Sequence, residues 1–101
     1  MIIYNVTVNV ENAIAEEWLQ WMVDIHIPAV LQTGFFLENH IYRVLADDDT
    51  GGKTYAIQYL CADMATYELY RDTKASQLQA DTTTKYGNKL VAFRTLLEVV
   101  K

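Results

Sequence analysis

The stretch IIYNVTVNV, residues 2–10, decides the fold because its apolar and polar side chains alternate. Successive side chains of a β-strand point to opposite faces of a sheet. One face therefore carries Tyr4, Val6, Val8 and Val10, and the other carries Asn5, Thr7 and Asn9. A strand with one apolar face suits a sheet that is covered on that side by helices.

The segment after this strand has the spacing of an amphipathic helix. Its apolar residues recur at intervals of three and four, namely Ile14, Trp18, Met22 and Ile25. Pro28 disfavours helical backbone in the residue before it, so we expect the helix to end or kink near His26. A short turn then follows, which Gly34 can close in the left-handed conformation.

The rest of the chain predicts two strands, a helix and a final strand. We expect strands at 35–46 and 53–61, joined by a glycine-containing hairpin turn at 47–52. A helix capped by Asp63 should run from about 64 into the seventies or low eighties. Gly87 should end that segment, and a last strand should follow at 89–100. Residues 96–100 are also compatible with a helix. The order is the ferredoxin-like βαββαβ of an α+β fold, with a four-stranded antiparallel sheet and two helices on one face, in a single domain spanning 1–101.

Alternation then assigns the strand residues to two faces. We expect the helices to cover Tyr4, Val6, Val8, Phe35, Leu37, Ile41, Tyr55, Ile57, Tyr59, Val91 and Phe93. The opposite face, here called the outer face, would carry Asn5, Thr7, Asn9, Glu38, His40, Tyr42, Ala56, Gln58 and Arg94. Amide, imidazole, phenol and guanidinium groups are typical of a wet cavity or a polar interface.

Two interpretations of the outer face remain open. In the first, a small polar or anionic ligand binds there, held by Asn5, Thr7, Asn9, His40, Tyr42, Gln58 and Arg94. The planar guanidinium of Arg94 would anchor a carboxylate. In the second, the same groups form a hydrogen-bonded subunit interface, which also requires satisfied polar atoms.

His26 is the candidate catalytic residue. An imidazole with a pKa near ~6.5 can exchange protons or donate to a ligand carbonyl at neutral pH. The alternative is a histidine that interacts favourably with the C-terminus of its own helix, which is worth ~0.3–1 kcal/mol.

Charge and composition exclude several classes. The net charge is −5, from 8 basic and 13 acidic residues, so a nucleic-acid partner is not expected. No window approaches ~20 apolar residues, and no secretory signal is recognised, so we expect a cytoplasmic protein that does not bind membranes. Cys61 is the only cysteine and no HxxxH or HExxH motif occurs, so we expect no cofactor and no metal. The run Asp47–Asp49 fits a solvated hairpin tip better than a calcium loop.

Several segments together resemble a known family. They are Ile3-Tyr4-Asn5-Val6-Thr7, Trp18 to Trp21-Met22, His26-Ile27-Pro28 to Thr33-Gly34, Tyr55-Ala56-Ile57-Gln58-Tyr59 and Val91-Ala92-Phe93-Arg94-Thr95. This set resembles the dimeric α/β-barrel superfamily and, more narrowly, the uncharacterised bacterial family DUF4286. The resemblance implies a homodimer in which two ferredoxin-like sheets pair face to face. A histidine near the end of the first helix recurs in several branches of the superfamily, and His26 matches that position.

Three functions are compatible with these observations. The first is a homodimeric domain that binds a small ligand on the outer face. The second is a cofactor-independent monooxygenase or isomerase, activities that the resemblance suggests, with His26 as acid or base. The third is a purely structural dimerisation module. The sequence does not decide whether the protein is an enzyme.

Overall fold

The sheet has four antiparallel strands in the order 2-3-1-4. The computed structural model describes residues 1–45 and 51–101. Its strands are β1 (Ile2–Glu11), β2 (Glu38–Arg43), β3 (Gly52–Cys61) and β4 (Leu90–Glu98). Its helices are α1 (Ala15–Trp21), α2 (Ile27–Leu31), α3 (Met64–Tyr70) and α4 (Ser76–Tyr86). The predicted ferredoxin-like α+β arrangement is therefore confirmed. The predicted hairpin tip, with Asp47–Asp49, lies outside the described residues.

The first helical segment continues past Pro28 without ending. A π-helical turn, Met22–His26, joins α1 to α2. Proline lacks an N–H, and inside a regular helix its ring would clash with the carbonyl four residues earlier. The wider π turn accommodates that break, so the helix is distorted near His26 as predicted but continues to Leu31. Gly34 follows with φ +84°, as expected.

The second helical segment is longer than its composition suggests. The Asp63 carboxylate caps α3 by accepting a hydrogen bond from the Thr66 backbone N–H at 2.8 Å. A second π turn, Arg71–Ala75, leads into α4. Its threonine run stays helical, and the Thr83 hydroxyl donates to the Gln79 carbonyl at 3.1 Å. Gly87 ends α4 at φ +59°.

The register of β4 corrects the predicted faces. Val6 pairs with Arg94, and Val8 pairs with Ala92, so both β4 residues lie on the side of the sheet that the helices cover. Val91 and Phe93 lie on the outer face, where they are 64% and 60% exposed. The predictions that Arg94 belongs to the outer face and that these two residues pack under the helices are therefore wrong.

Two strand boundaries also differ from the prediction. β2 begins at Glu38, not at residue 35, although the Leu37 backbone N–H already donates to the Leu60 carbonyl of β3 at 2.8 Å. Phe36 is buried, whereas Leu37 is 61% exposed, so the prediction that Leu37 packs under the helices is wrong. The alternative of a helix at 96–100 is also wrong, since β4 extends to Glu98.

The core lies between the sheet and the helical segments, and it is rich in aromatic rings. Trp18 is 1% exposed and packs against Tyr55 at a centroid distance of 5.3 Å. Tyr4 contacts Tyr59 and Tyr70, each at 5.9 Å between ring centroids. These rings do not fill the whole space between the layers. A cavity remains beside β4, one of the two edge strands.

Candidate ligand cavity

The cavity occupies about 250 Å³ between the covered side of the sheet and the helical segments. Buried side chains form its interior, including Trp18, Met22, Val30, Ile57 and Tyr59. Exposed residues mark its mouth between α4 and β4, namely Thr83, Gly87 and Arg94. A ligand can therefore enter beside β4 and reach the apolar side chains of the interior.

His26 lines the cavity from the first helical segment. It lies two helical turns after Trp18, which places both residues on the side that faces the sheet. Its Nδ1 atom is 3.5 Å from the Thr82 hydroxyl, and its ring stacks on Trp21 at 5.3 Å. Burial lowers the pKa of His26 below its usual 6.5; Asp81 opposes this, and the positive charge of Arg94 adds to it. The imidazole is therefore neutral at pH 7.

Arg94 lines the same cavity from β4. Its Nε donates a hydrogen bond to the Tyr4 hydroxyl at 3.1 Å. Within residues 1–45 and 51–101, no carboxylate lies close enough to pair with it. Within those residues, the other guanidinium N–H groups donate to no protein atom. Arg94 therefore presents a positive charge to the mouth of the cavity.

Two buried phenols belong to the wall as well. Burial is the main cause that raises the pKa values of Tyr59 and Tyr70 far above the usual 10, and Tyr4 beside them adds to the effect. Both hydroxyls therefore stay protonated and can donate hydrogen bonds. The sequence placed Tyr59 in the core and gave no indication that it lines a cavity. Thr82 could have been found from the sequence. It lies one helical turn after Leu78, so extending the helical period of the second segment would have placed it on the same face as Leu78.

The other predicted site residues lie together on the outer face, separated from His26 and Arg94 by the sheet. They are Asn5, Thr7, Asn9, His40, Tyr42 and Gln58. Their side chains bond mainly to neighbours within the sheet: Gln58 donates to Asn5 at 3.3 Å, and Asn5 donates to Thr7 at 3.1 Å. The predicted site is thus split, since only His26 and Arg94 meet at the cavity.

The outer face is also more apolar than predicted. Val91, Phe93 and Leu97 from β4 all point to this side, and Tyr42 from β2 is 51% exposed there. The exposed apolar side chains of β4, with Tyr42 at the opposite edge of the same face, indicate an interaction surface.

The described residues offer no constellation for a metal ion. Across 1–45 and 51–101, no three histidine, cysteine or carboxylate side chains cluster together. In the same ranges, no helix is both long and apolar enough to cross a membrane.

Solved structures show the same fold at low sequence identity. A protein of the ethyl tert-butyl ether d (EthD) family from Bacillus halodurans aligns with a TM-score of 0.69 at 10% identity, covering 99% of this chain and 100% of its own. A candidate antibiotic biosynthesis monooxygenase from Deinococcus radiodurans aligns with a TM-score of 0.70 at 18% identity, covering 100% of this chain and 94% of its own. A dimeric ferredoxin-like protein from an uncultured marine organism aligns with a TM-score of 0.62 at 14% identity, covering 99% of this chain and 95% of its own.

These identities show a shared architecture. Comparison with curated proteins gives no match. The family model described as a domain of unknown function, DUF4286, matches residues 1–100. The chain therefore belongs to the DUF4286 family, as its motifs predicted.

Proposed function

We propose that this protein is a homodimeric domain that binds a small molecule in the cavity between its sheet and its helices. The observation that carries the proposal is the 250 Å³ cavity, whose wall combines apolar side chains with His26 and Arg94. The site differs from the one expected from the sequence, because the ligand lies under the helices and the outer face serves the dimer. A purely structural module needs no such cavity, nor a guanidinium and a neutral imidazole on its wall.

The outer face supports the dimer. Four strands of six to ten residues, about 4.8 Å apart, present roughly 600 Å² to a partner. That area approaches the ~800 Å² per partner that stable interfaces bury. Val91 and Phe93 supply exposed apolar surface in this patch, and one similar structure is itself described as dimeric. A second copy that covers the face would remove those side chains from water.

A neutral bicyclic probe tests the cavity directly. We expect 2-naphthamide to bind the wild-type protein in isothermal titration calorimetry. Ala92→Phe should abolish binding, because Ala92 lines the cavity and the added ring occupies it. Ala65→Phe is the matched control, since Ala65 is exposed on α3. Absence of binding to the wild type, or equal binding to both variants, would contradict the proposal.

A second candidate function is acid–base catalysis at His26. The observation that favours it is a neutral imidazole on the cavity wall, since a neutral ring can accept a proton at pH 7. One similar structure is described as a candidate monooxygenase. Oxygen uptake with 1-naphthol tests this function, with uptake above the protein-free rate expected for the wild type and lost in His26→Gln. Equal rates with the two proteins would exclude His26 from that reaction.

A further inference from the structure

The charge of the cavity wall is opposite to that of the protein. The whole chain carries −5. Yet among the described residues that line the cavity there is no aspartate or glutamate, and Arg94 is present. Because like charges repel, the guanidinium at the mouth disfavours a cationic ligand and favours an anionic one.

Arg94 is oriented for an anion at the mouth. Its Nε is occupied by the Tyr4 hydroxyl at 3.1 Å, and Tyr4 is held by ring contacts with Tyr67 and Tyr70 at 5.3 and 5.9 Å. This anchor leaves the terminal N–H groups of the guanidinium for a ligand. A planar guanidinium matches a carboxylate with two parallel hydrogen bonds.

The volume limits the size of the ligand body. An apolar cavity of about 150 Å³ holds one benzene ring. At 250 Å³, this cavity has room for a body of about two fused rings, and Trp18, Met22, Val30 and Ile57 offer apolar contacts to such a body. The protonated hydroxyls of Tyr59 and Tyr70 can donate to an oxygen on that body.

We infer that the cavity selects a monoanionic ligand, namely a flat apolar body of about two rings bearing one carboxylate that Arg94 binds. The neutral His26 contributes no charge, so the selectivity for the anion comes from Arg94. The inference rests on the proposed function, since it names the class of ligand for the same cavity.

A pair of isosteric probes distinguishes binding in the cavity from selectivity for an anion. At pH 7.5, 2-naphthoate carries the carboxylate, whereas 2-naphthamide has the same rings and no charge. We expect the wild type to bind 2-naphthoate about tenfold more tightly, a moderate effect because Arg94 is partly exposed to solvent. Arg94→Gln should lose this preference and retain 2-naphthamide binding. Arg71→Gln is the control and should keep the preference, because Arg71 lies on the surface, paired with Asp72.

Each result has a defined meaning. Equal affinity of the wild type for both probes, or a preference that persists in Arg94→Gln, overturns the anion selectivity while the cavity remains a binding site. If neither probe binds the wild type, the proposed function fails together with this inference.

Discussion

Replacing Phe93 with glutamate is expected to dissociate the proposed dimer. Phe93 is 60% exposed on the outer face. With a side chain of about 200 Å², it leaves about 120 Å² for a partner to cover, worth about 3 kcal/mol per copy at ~25 cal/mol per Å². Only part of the free energy of burying apolar area appears as binding free energy. We therefore take about 3 kcal/mol as the loss for both copies together. This loss raises the dimer Kd by roughly 100-fold.

Sedimentation equilibrium at micromolar concentration measures this change. The wild type should sediment at about twice 11.6 kDa, and Phe93→Glu should shift toward the mass of one chain. Leu69→Glu is the control, since Leu69 is 53% exposed on α3, away from the outer face, and should leave the dimer intact. A variant that stays dimeric like the wild type, or a monomeric wild type, would refute the use of the outer face as the interface.

Two further predictions concern stability. The folded state lowers the pKa of His26 below 6.5, so the unfolded chain binds more protons below that pH, and the free energy of unfolding should fall as the pH drops through about 6.5. In urea unfolding at pH 7.5 and pH 5, His26→Gln should therefore lose less stability than the wild type; equal losses would contradict the cause given for the pKa. Gly87 has φ +59° and ψ −125°, a region nearly restricted to glycine, and an added Cβ would meet nothing within 4 Å. Gly87→Ala should therefore cost roughly 1–3 kcal/mol in thermal unfolding through backbone strain alone, while the adjacent Asn88→Ala should change little; similar effects of the two substitutions would argue against strain.

Much of the fold followed from local periodicity. The alternation at 2–10 and the apolar spacing from Ile14 to Ile25 each match a single type of element, and turn residues such as Gly34 and Gly87 separate them. Pro28 also predicted a distortion near His26. The sequence could not predict that a π turn would keep the helix continuous, because that outcome depends on packing of both helical segments against the sheet.

The candidate site was only partly predictable. His26 was recognised from its chemistry and from its place at the end of an apolar helical stripe. Tyr59 was recognised only as a core residue, since a buried ring and a cavity wall have the same local pattern. The cavity itself depends on how completely side chains from distant segments fill the space between two layers, and no local pattern records that.

The sequence by itself determined the order of the elements, the helix-covered side of β1 and the candidate role of His26, because each depends on neighbours within a few residues. Only the tertiary structure decided the orientation of β4. The run LVAFRTLL has no strict alternation of apolar and polar residues, so its faces follow from hydrogen-bond pairing with β1. Because Val6 pairs with Arg94, the guanidinium lies at the cavity and Phe93 lies on the outer face. A shift of one residue in that register would exchange the two, since successive side chains of a strand point to opposite sides.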